Sequence, residues 1–400
     1  MAAPPSRRKP LLGPGTRLAA LHVLNDGFAA SLPLLLPFAR EELGLSLSGV
    51  GALGGLLGAA GVVLAFPAAW LAGRFGGPRI LRWALGAYGL AFVLAGLAPG
   101  FAVLAAAFLL ASLGFGLFHP VAFSLVASSG GGAKVGKRMG DFTAVGDFGR
   151  LGLAAAATAV AAALGWRGTA LAYGALPLAL FAVSIVLARR AESPNAPMAA
   201  GEAAPAGRSG GGVRGRMGPF ATVLAAVALD GMAGSAIFMF LPFLMADRGM
   251  PPALLGSLTG AFFVGTLLGK TLLGRLGDRF GNRAVFLGSE LAMAALLAVL
   301  AALRSGPAIA AVSVVLGAVT KGTVPVLNSM IAERSPREGL GAAFGASSFA
   351  AGAAATVAPL AYGLLADARG IDAVFLACTA FAVAAMVPIL AAAPGRPRRD

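Results

Sequence analysis

A few polar side chains interrupt the long apolar runs of this 400-residue chain, and these are where it could do chemistry: His22, Asn25, Asp26, His119, Asp147, Arg150, Asp230 and Lys321. His22 and Asp26 are four residues apart, so a helix puts both on one face, where a carboxylate beside an imidazole can pass a proton. Asp147 and Arg150 have helical i,i+3 spacing. That fits an internal ion pair, or a switch in which Arg150 holds an anion while Asp147 is protonated. Lys321 stands alone in Thr320-Lys321-Gly322-Thr323-Val324-Pro325 and needs an anion, either Asp230 or a substrate group. His119 precedes Pro120, where a broken backbone ladder exposes a carbonyl, so a satisfied core histidine and a ligand are equally open readings.

These groups matter because of their surroundings. The chain is 58% hydrophobic and 12% charged, with a mean hydropathy of +0.85, against about 25% charged residues in a soluble domain. It lacks the polar surface to face water all round. At about 20 residues per span with short loops, 400 residues hold about twelve membrane helices. The apolar runs place these at 17–39, 47–73, 80–98, 101–128, 139–164 and 168–188, then at 219–245, 252–274, 283–303, 307–332, 340–365 and 371–393. Asp26, Arg150, Asp230 and Lys321 then lie about 9, 11, 11 and 14 residues into their helices, near the midplane. An ionisable group there costs about 2.5–3.5 kcal/mol on insertion scales and persists where it pairs or lines a polar path. Lys270 reads instead as snorkelling to the surface, and Glu290 as near-surface or structural. Trp70, Trp83 and Trp166 read as interface anchors.

The formal charge is +15, but the basic residues sit in short loops between apolar runs, which excludes a nucleic-acid partner. Cys378 is the single cysteine, so no disulfide framework is possible within the chain. No phosphate-binding loop, zinc-binding helix or nucleophile elbow is present, so neither an enzyme, a metal nor a cofactor is expected. The first apolar run reads as a helix that stays, not as a cleaved signal. With a cytoplasmic N-terminus, 23 of the 31 Lys and Arg residues fall in cytoplasmic segments and 5 in outer loops. The positive-inside rule then places both termini inside. The Pro-, Gly- and Ser-rich stretch 189–218 reads as a cytoplasmic linker between bundles at 1–188 and 219–400.

The chain also repeats itself. At an offset of 205, Leu36-Pro37-Phe38 matches Leu241-Pro242-Phe243, Arg74-Phe75-Gly76 matches Arg279-Phe280-Gly281, and Gly44, Gly51, Leu53, Gly55, Pro120 and Gly140 find partners of their own type. Asp230 aligns with Asn25. Six helices per repeat make the halves parallel, related by an axis along the membrane normal.

On these residues the chain resembles the major facilitator superfamily. Gly274-Arg275-Leu276-Gly277-Asp278-Arg279-Phe280-Gly281-Asn282-Arg283 resembles that family's G-x-x-x-D-R-x-G-R-R loop, with Asn282 in place of a basic residue. The first-half copy has Gly73 where the aspartate belongs, ahead of Arg74. His22-Val23-Leu24-Asn25-Asp26, Phe118-His119-Pro120 and Gly146-Asp147-Phe148-Gly149 resemble the fosmidomycin-resistance branch of drug exporters, with Asp147 in place of that branch's asparagine and Arg150 following it. The resemblance implies an all-α membrane fold of two six-helix bundles, in which helices 1, 4, 7 and 10 line a central cavity flanked by 2, 5, 8 and 11. It also implies an inner gate built on Arg74, Gly274, Asp278, Arg279, Gly281 and Arg283. The expected function is proton-coupled export of a small amphipathic or anionic compound by a monomer in a bacterial inner membrane. Import of an organic anion is the alternative within transport; a membrane scaffold or sensor is the alternative outside it.

Overall fold

A computed structural model describes residues 14–64, 67–128, 135–191, 217–235, 237–335 and 340–392. The described residues hold helices and connecting turns, with no strand. In lipid every backbone N–H and C=O must bond internally, which a helix achieves within one segment.

The helices are α1 (Pro14–Leu34), α2 (Leu36–Leu43), α3 (Leu47–Val63), α4 (Pro67–Phe75), α5 (Gly77–Gly96), α6 (Phe101–Ser128), α7 (Val135–Gly149), α8 (Ala155–Ala191), α9 (Met217–Ser235), α10 (Ile237–Asp247), α11 (Leu255–Phe280), α12 (Asn282–Ala302), α13 (Gly306–Arg334), α14 (Leu340–Arg369) and α15 (Ile371–Ala391). They make twelve traverses. The first is α1 with α2, interrupted at Leu35; the second is α3 with α4; the seventh is α9 with α10. The fifth runs through α7, a π-helical turn at Arg150–Ala154 and the start of α8. Gly165, with φ 72°, breaks α8 and starts the sixth. Nine stretches among the described residues are long and apolar enough to cross a membrane, and one of these, Asp141–Leu187, contains both the fifth and sixth traverses. The expected linker falls mostly at 192–216, outside the described residues, as do Lys134, Arg337 and the basic residues of both termini.

Both ends of the described chain lie at one face, called the terminal face below; Arg283, at the start of α12, donates to the carbonyls of Leu390 and Ala392 there. Large apolar side chains such as Leu187, Leu268, Leu291, Phe349 and Val387 are exposed. Such a surface is a liability in water and suits the bilayer.

The repeat is written into the backbone. Among the described residues all six glycines with positive φ form three pairs at the 205 offset: Gly44 and Gly249, Gly76 and Gly281, Gly165 and Gly370. Each pair closes an equivalent turn that a side chain would strain. The third pair extends the repeat beyond what residue matching found.

The halves meet along α3 with α14, and along the fifth traverse with α11. Small residues allow backbone-to-backbone approach. A Cβ at Gly51 would strike the Pro359 carbonyl, and ones at Gly55 and Gly58 would crowd Thr356 and Ala355. A Cβ at Gly256 would crowd Ala154 in the pseudo-symmetric contact. Near the far face, Asp367 accepts the backbone N–H groups of Leu47 (2.8 Å) and Ser48 (2.9 Å). Thr158 accepts from the Gly256 N–H (2.8 Å) and donates to the Ala253 carbonyl (3.1 Å).

Candidate functional site

Three traverses of the first half build one charged cluster. The fifth approaches the first closely because Gly146 and Gly149 face α1. A Cβ on Gly146 would lie 2.5 Å from Asp26 Oδ2 and 2.7 Å from His22 Nε2, and one on Gly149 would strike the Val23 carbonyl. The Gly146-Asp147-Phe148-Gly149 motif is therefore a packing device that brings Arg150 within reach of Asp26. The π-helical turn starting at Arg150 redirects the helix there, as such turns often do at functional sites.

Asp26, only 2% exposed, is the hub. Its Oδ2 meets Arg150 at 2.8 Å and His22 Nε2 at 3.3 Å; its Oδ1 meets His119 Nε2 at 3.2 Å and accepts from Asn25 Nδ2 at 3.0 Å. Arg150 also pairs with Asp147 at 2.8 Å. Both expected spacings, His22 with Asp26 and Asp147 with Arg150, thus close into contacts. His119 Nδ1 lies 3.3 Å from the Phe115 carbonyl while Nε2 faces Asp26.

The imidazoles limit where protons sit. His22 Nδ1 is 2.8 Å from the Phe142 carbonyl. A carbonyl oxygen only accepts, so Nδ1 carries the hydrogen in both histidines. Both Nε2 atoms then point at one carboxylate, and each contact is a hydrogen bond only if a further proton sits on it. Phe118 and Phe142 stack on the His22 ring and fix its plane (centroids 5.6 and 4.2 Å). His22, Asp26 and His119 offer ligand atoms within 4.8 Å of one another, a spacing that could hold a metal ion. Arg150 already places a positive charge on the same Oδ2, so this set suits a proton better than a metal cation.

Three sequence readings need correction. Lys270 does not snorkel away: its Nζ lies 2.6 Å from Asp147 Oδ2 and ties the second half to the first. Glu290 is not near-surface; it is 0% exposed. In the second half, Asp230 accepts from the Thr323 hydroxyl at 3.1 Å and faces Glu290. Of the two partners left open for Lys321, Asp230 does not lie within 4.0 Å, although the two sense each other's charge. Trp166 is also not a lipid anchor. It is buried and donates to Glu42 at 2.6 Å beside Arg167, whereas Trp70 and Trp83 are exposed.

The gate residues lie apart from this cluster, at the terminal face. Arg74 lies over Trp70, Arg279 over Phe280, and Gly281 makes the turn into α12. Asn282 donates to Glu333 at 2.6 Å. Gly274 lies one helical turn from Asp278, which is exposed and in no ion pair among the described residues.

Paired six-helix bundles with buried charges between them define a multi-pass membrane transporter, not an enzyme. A family model described as Major Facilitator Superfamily matches residues 18–226 and again 223–400. The chain belongs to that superfamily. It is similar to the multidrug resistance protein MdtG of Proteus mirabilis (32% identity over 152 residues, 37% of this chain and 38% of that protein). It is similar also to MdtG of Yersinia enterocolitica (30% over 167 residues, 40% and 39%). The match thus spans about two fifths of those relatives' length. Among solved structures it resembles a bacterial homologue of the lysosomal transporter Spinster in an inward-facing, unoccupied conformation (TM-score 0.71, 15% identity, 94% and 95% covered). It also resembles the nucleoside transporter NupG (TM-score 0.73, 14% identity, 94% and 99% covered).

Proposed function

We propose that this chain is a proton-coupled exporter of small amphipathic or anionic organic compounds, acting as a monomer in a bacterial inner membrane with both termini cytoplasmic. The observation that carries this reading is the hub at Asp26: two imidazoles with committed Nδ1–H groups both aim Nε2 at one carboxylate, which Arg150 also grips. Such a site changes its bonding with each proton it takes or gives. Arg150 links it to Asp147, and Lys270 links Asp147 to the second half, so a proton arriving at Asp26 can alter contacts between the halves. Similarity to multidrug resistance proteins over part of the chain favours efflux. The far-face closure and the unpaired Asp278 fit a state open towards the terminal, cytoplasmic side.

The test is reconstitution in liposomes with an internal pH dye and a panel of amphipathic cations, neutral compounds and organic anions. Proton movement driven by some of them is expected with wild type. Asp26→Asn should lose uphill transport by at least tenfold while keeping downhill exchange, because the amide preserves shape. Full gradient-driven transport by this variant would remove Asp26 from the mechanism.

Import of an organic anion is a second reading, favoured by Lys321, which forms no hydrogen bond or ion pair among the described residues and is available to a substrate anion. Lys321→Gln should then weaken anionic compounds selectively, with neutral ones unaffected.

A further inference from the structure

Glu290 is the buried acid that the reading above leaves without a task. It lies on α12, is 0% exposed, and no protein donor reaches either of its carboxyl oxygens. What it faces is another carboxyl, that of Asp230 on α9. Thr323 on α13 places its hydroxyl 3.1 Å from Asp230 Oδ1 and 2.8 Å from the Thr320 carbonyl.

The charges around this pair can be counted. From α13 comes Lys321, which acts on Asp230 without closing an ion pair. From α11 comes Lys270, engaged with Asp147. The described part of α15, packed on α12, brings only Asp372, held at the far end by Arg248, and Cys378, which faces Tyr362. Mid-depth in the bundle, with His22 and His119 neutral, four carboxyls (Asp26, Asp147, Asp230 and Glu290) meet three cations (Arg150, Lys270 and Lys321) among the described residues. Two bare carboxylates in contact away from water repel, and neither can donate to the other. A single proton turns the contact into an O–H···O hydrogen bond and, with both histidines neutral, brings the charge of this group to zero, the cheapest arrangement in a low dielectric.

We propose that Asp230 and Glu290 bind one proton between them, a second protonation site in the C-terminal half separate from the Asp26 cluster. Binding of this proton does not depend on the transport reading; a role for it in coupling rests on that reading. If the protein exports by proton exchange, its cycle then has a proton site in each half.

Infrared spectroscopy of the lipid-reconstituted protein reads the site with no substrate present. In potassium buffer at neutral pH, wild type should show the C=O stretch of a protonated carboxylic acid, shifted down in heavy water. The band should vanish in both Glu290→Gln and Asp230→Asn and persist in Asp26→Asn, which separates failure of this proposal from failure of the exporter reading. A wild type without the band, or a band unchanged in both variants, overturns the proposal. Two carboxyls and a hydroxyl could instead hold sodium; a band abolished by replacing potassium with sodium would overturn proton occupancy in favour of that ion. Should either variant fail to insert, Thr323→Val keeps both carboxyls and removes only a hydroxyl donor, so it should shift the band's frequency. An unshifted band in that variant counts against the site.

Discussion

Gly146 leaves no spare room between the first and fifth traverses, because Asp26 and His22 occupy the space a side chain would need. Gly146→Ala should therefore lower the thermal midpoint of the purified protein, by the equivalent of about 1–3 kcal/mol of overpacking, and should weaken proton-driven transport as Arg150 is pushed off Asp26. An unchanged midpoint with intact transport would show that the hub tolerates a wider spacing. Contacts within one helix were legible in the sequence, because i,i+3 and i,i+4 spacing alone brings Asp147 to Arg150 and His22 to Asp26. Lys270 was not legible, since its partner lies on a helix of the other half and no spacing rule connects residues 123 positions apart. Glu290 escaped for a related reason: its neighbour Asp230 lies two traverses earlier, and a carboxyl facing a carboxyl looks like an unlikely pair until the proton is included.

At the scale of the helix, the two faces of the protein are secured by different devices. On the far face the carboxylate of Asp367 receives the first N–H groups of α3, which have no partner within their own helix. A negative charge at a helix N-terminus adds about 0.3–1 kcal/mol. This contact joins the halves and must break for the far side to open, so Asp367→Ala should shift the population towards states open on that side by several-fold. At the terminal face, Asp278 and Arg279 are exposed here and should engage only when that side closes. Asp278→Ala should shift the population the opposite way. Spin labels placed in 74–82 and 275–283 read both effects: shorter distances on average for Asp367→Ala, longer for Asp278→Ala. Unchanged distributions for Asp278→Ala would leave the motif a role in folding or insertion only. The string that suggests a gate could be read because Arg-Phe-Gly recurs at the 205 offset; the Asp367 cap could not, because its partners are backbone amides that any sequence supplies.

Seen whole, the architecture was largely open to reading, because lipid imposes long apolar helices and duplication imposes a fixed offset. The helix interruptions were less open. The break at Leu35 falls between Pro33 and Pro37, whose missing backbone donors interrupt the ladder, whereas no residue type in the sequence marks the π-helical turn at Arg150. Topology can be checked directly, since the native Cys378 is buried and should be silent. With cysteines introduced at Ser209 and Ser305, an impermeant thiol reagent applied to intact cells is expected to label the Ser305 site alone. Labelling at Ser209 would reverse the orientation.

The balance of four mid-depth carboxyls against three mid-depth cations, with both histidines neutral, bears on membrane voltage. With one shared proton the cluster is neutral, so the unloaded protein can reorient without carrying net charge through the electric field. Voltage, worth about 2.3 kcal/mol per elementary charge per 100 mV, then acts only on the steps in which a proton or a charged substrate is aboard. For one proton entering per molecule expelled, a neutral compound would draw on both the pH gradient and the potential. A monoanion leaving by the same exchange would carry its charge outwards while the proton carries one inwards, and would draw on the potential twice over. The charge of the cargo, more than its shape, would then set how steeply the carrier can pump.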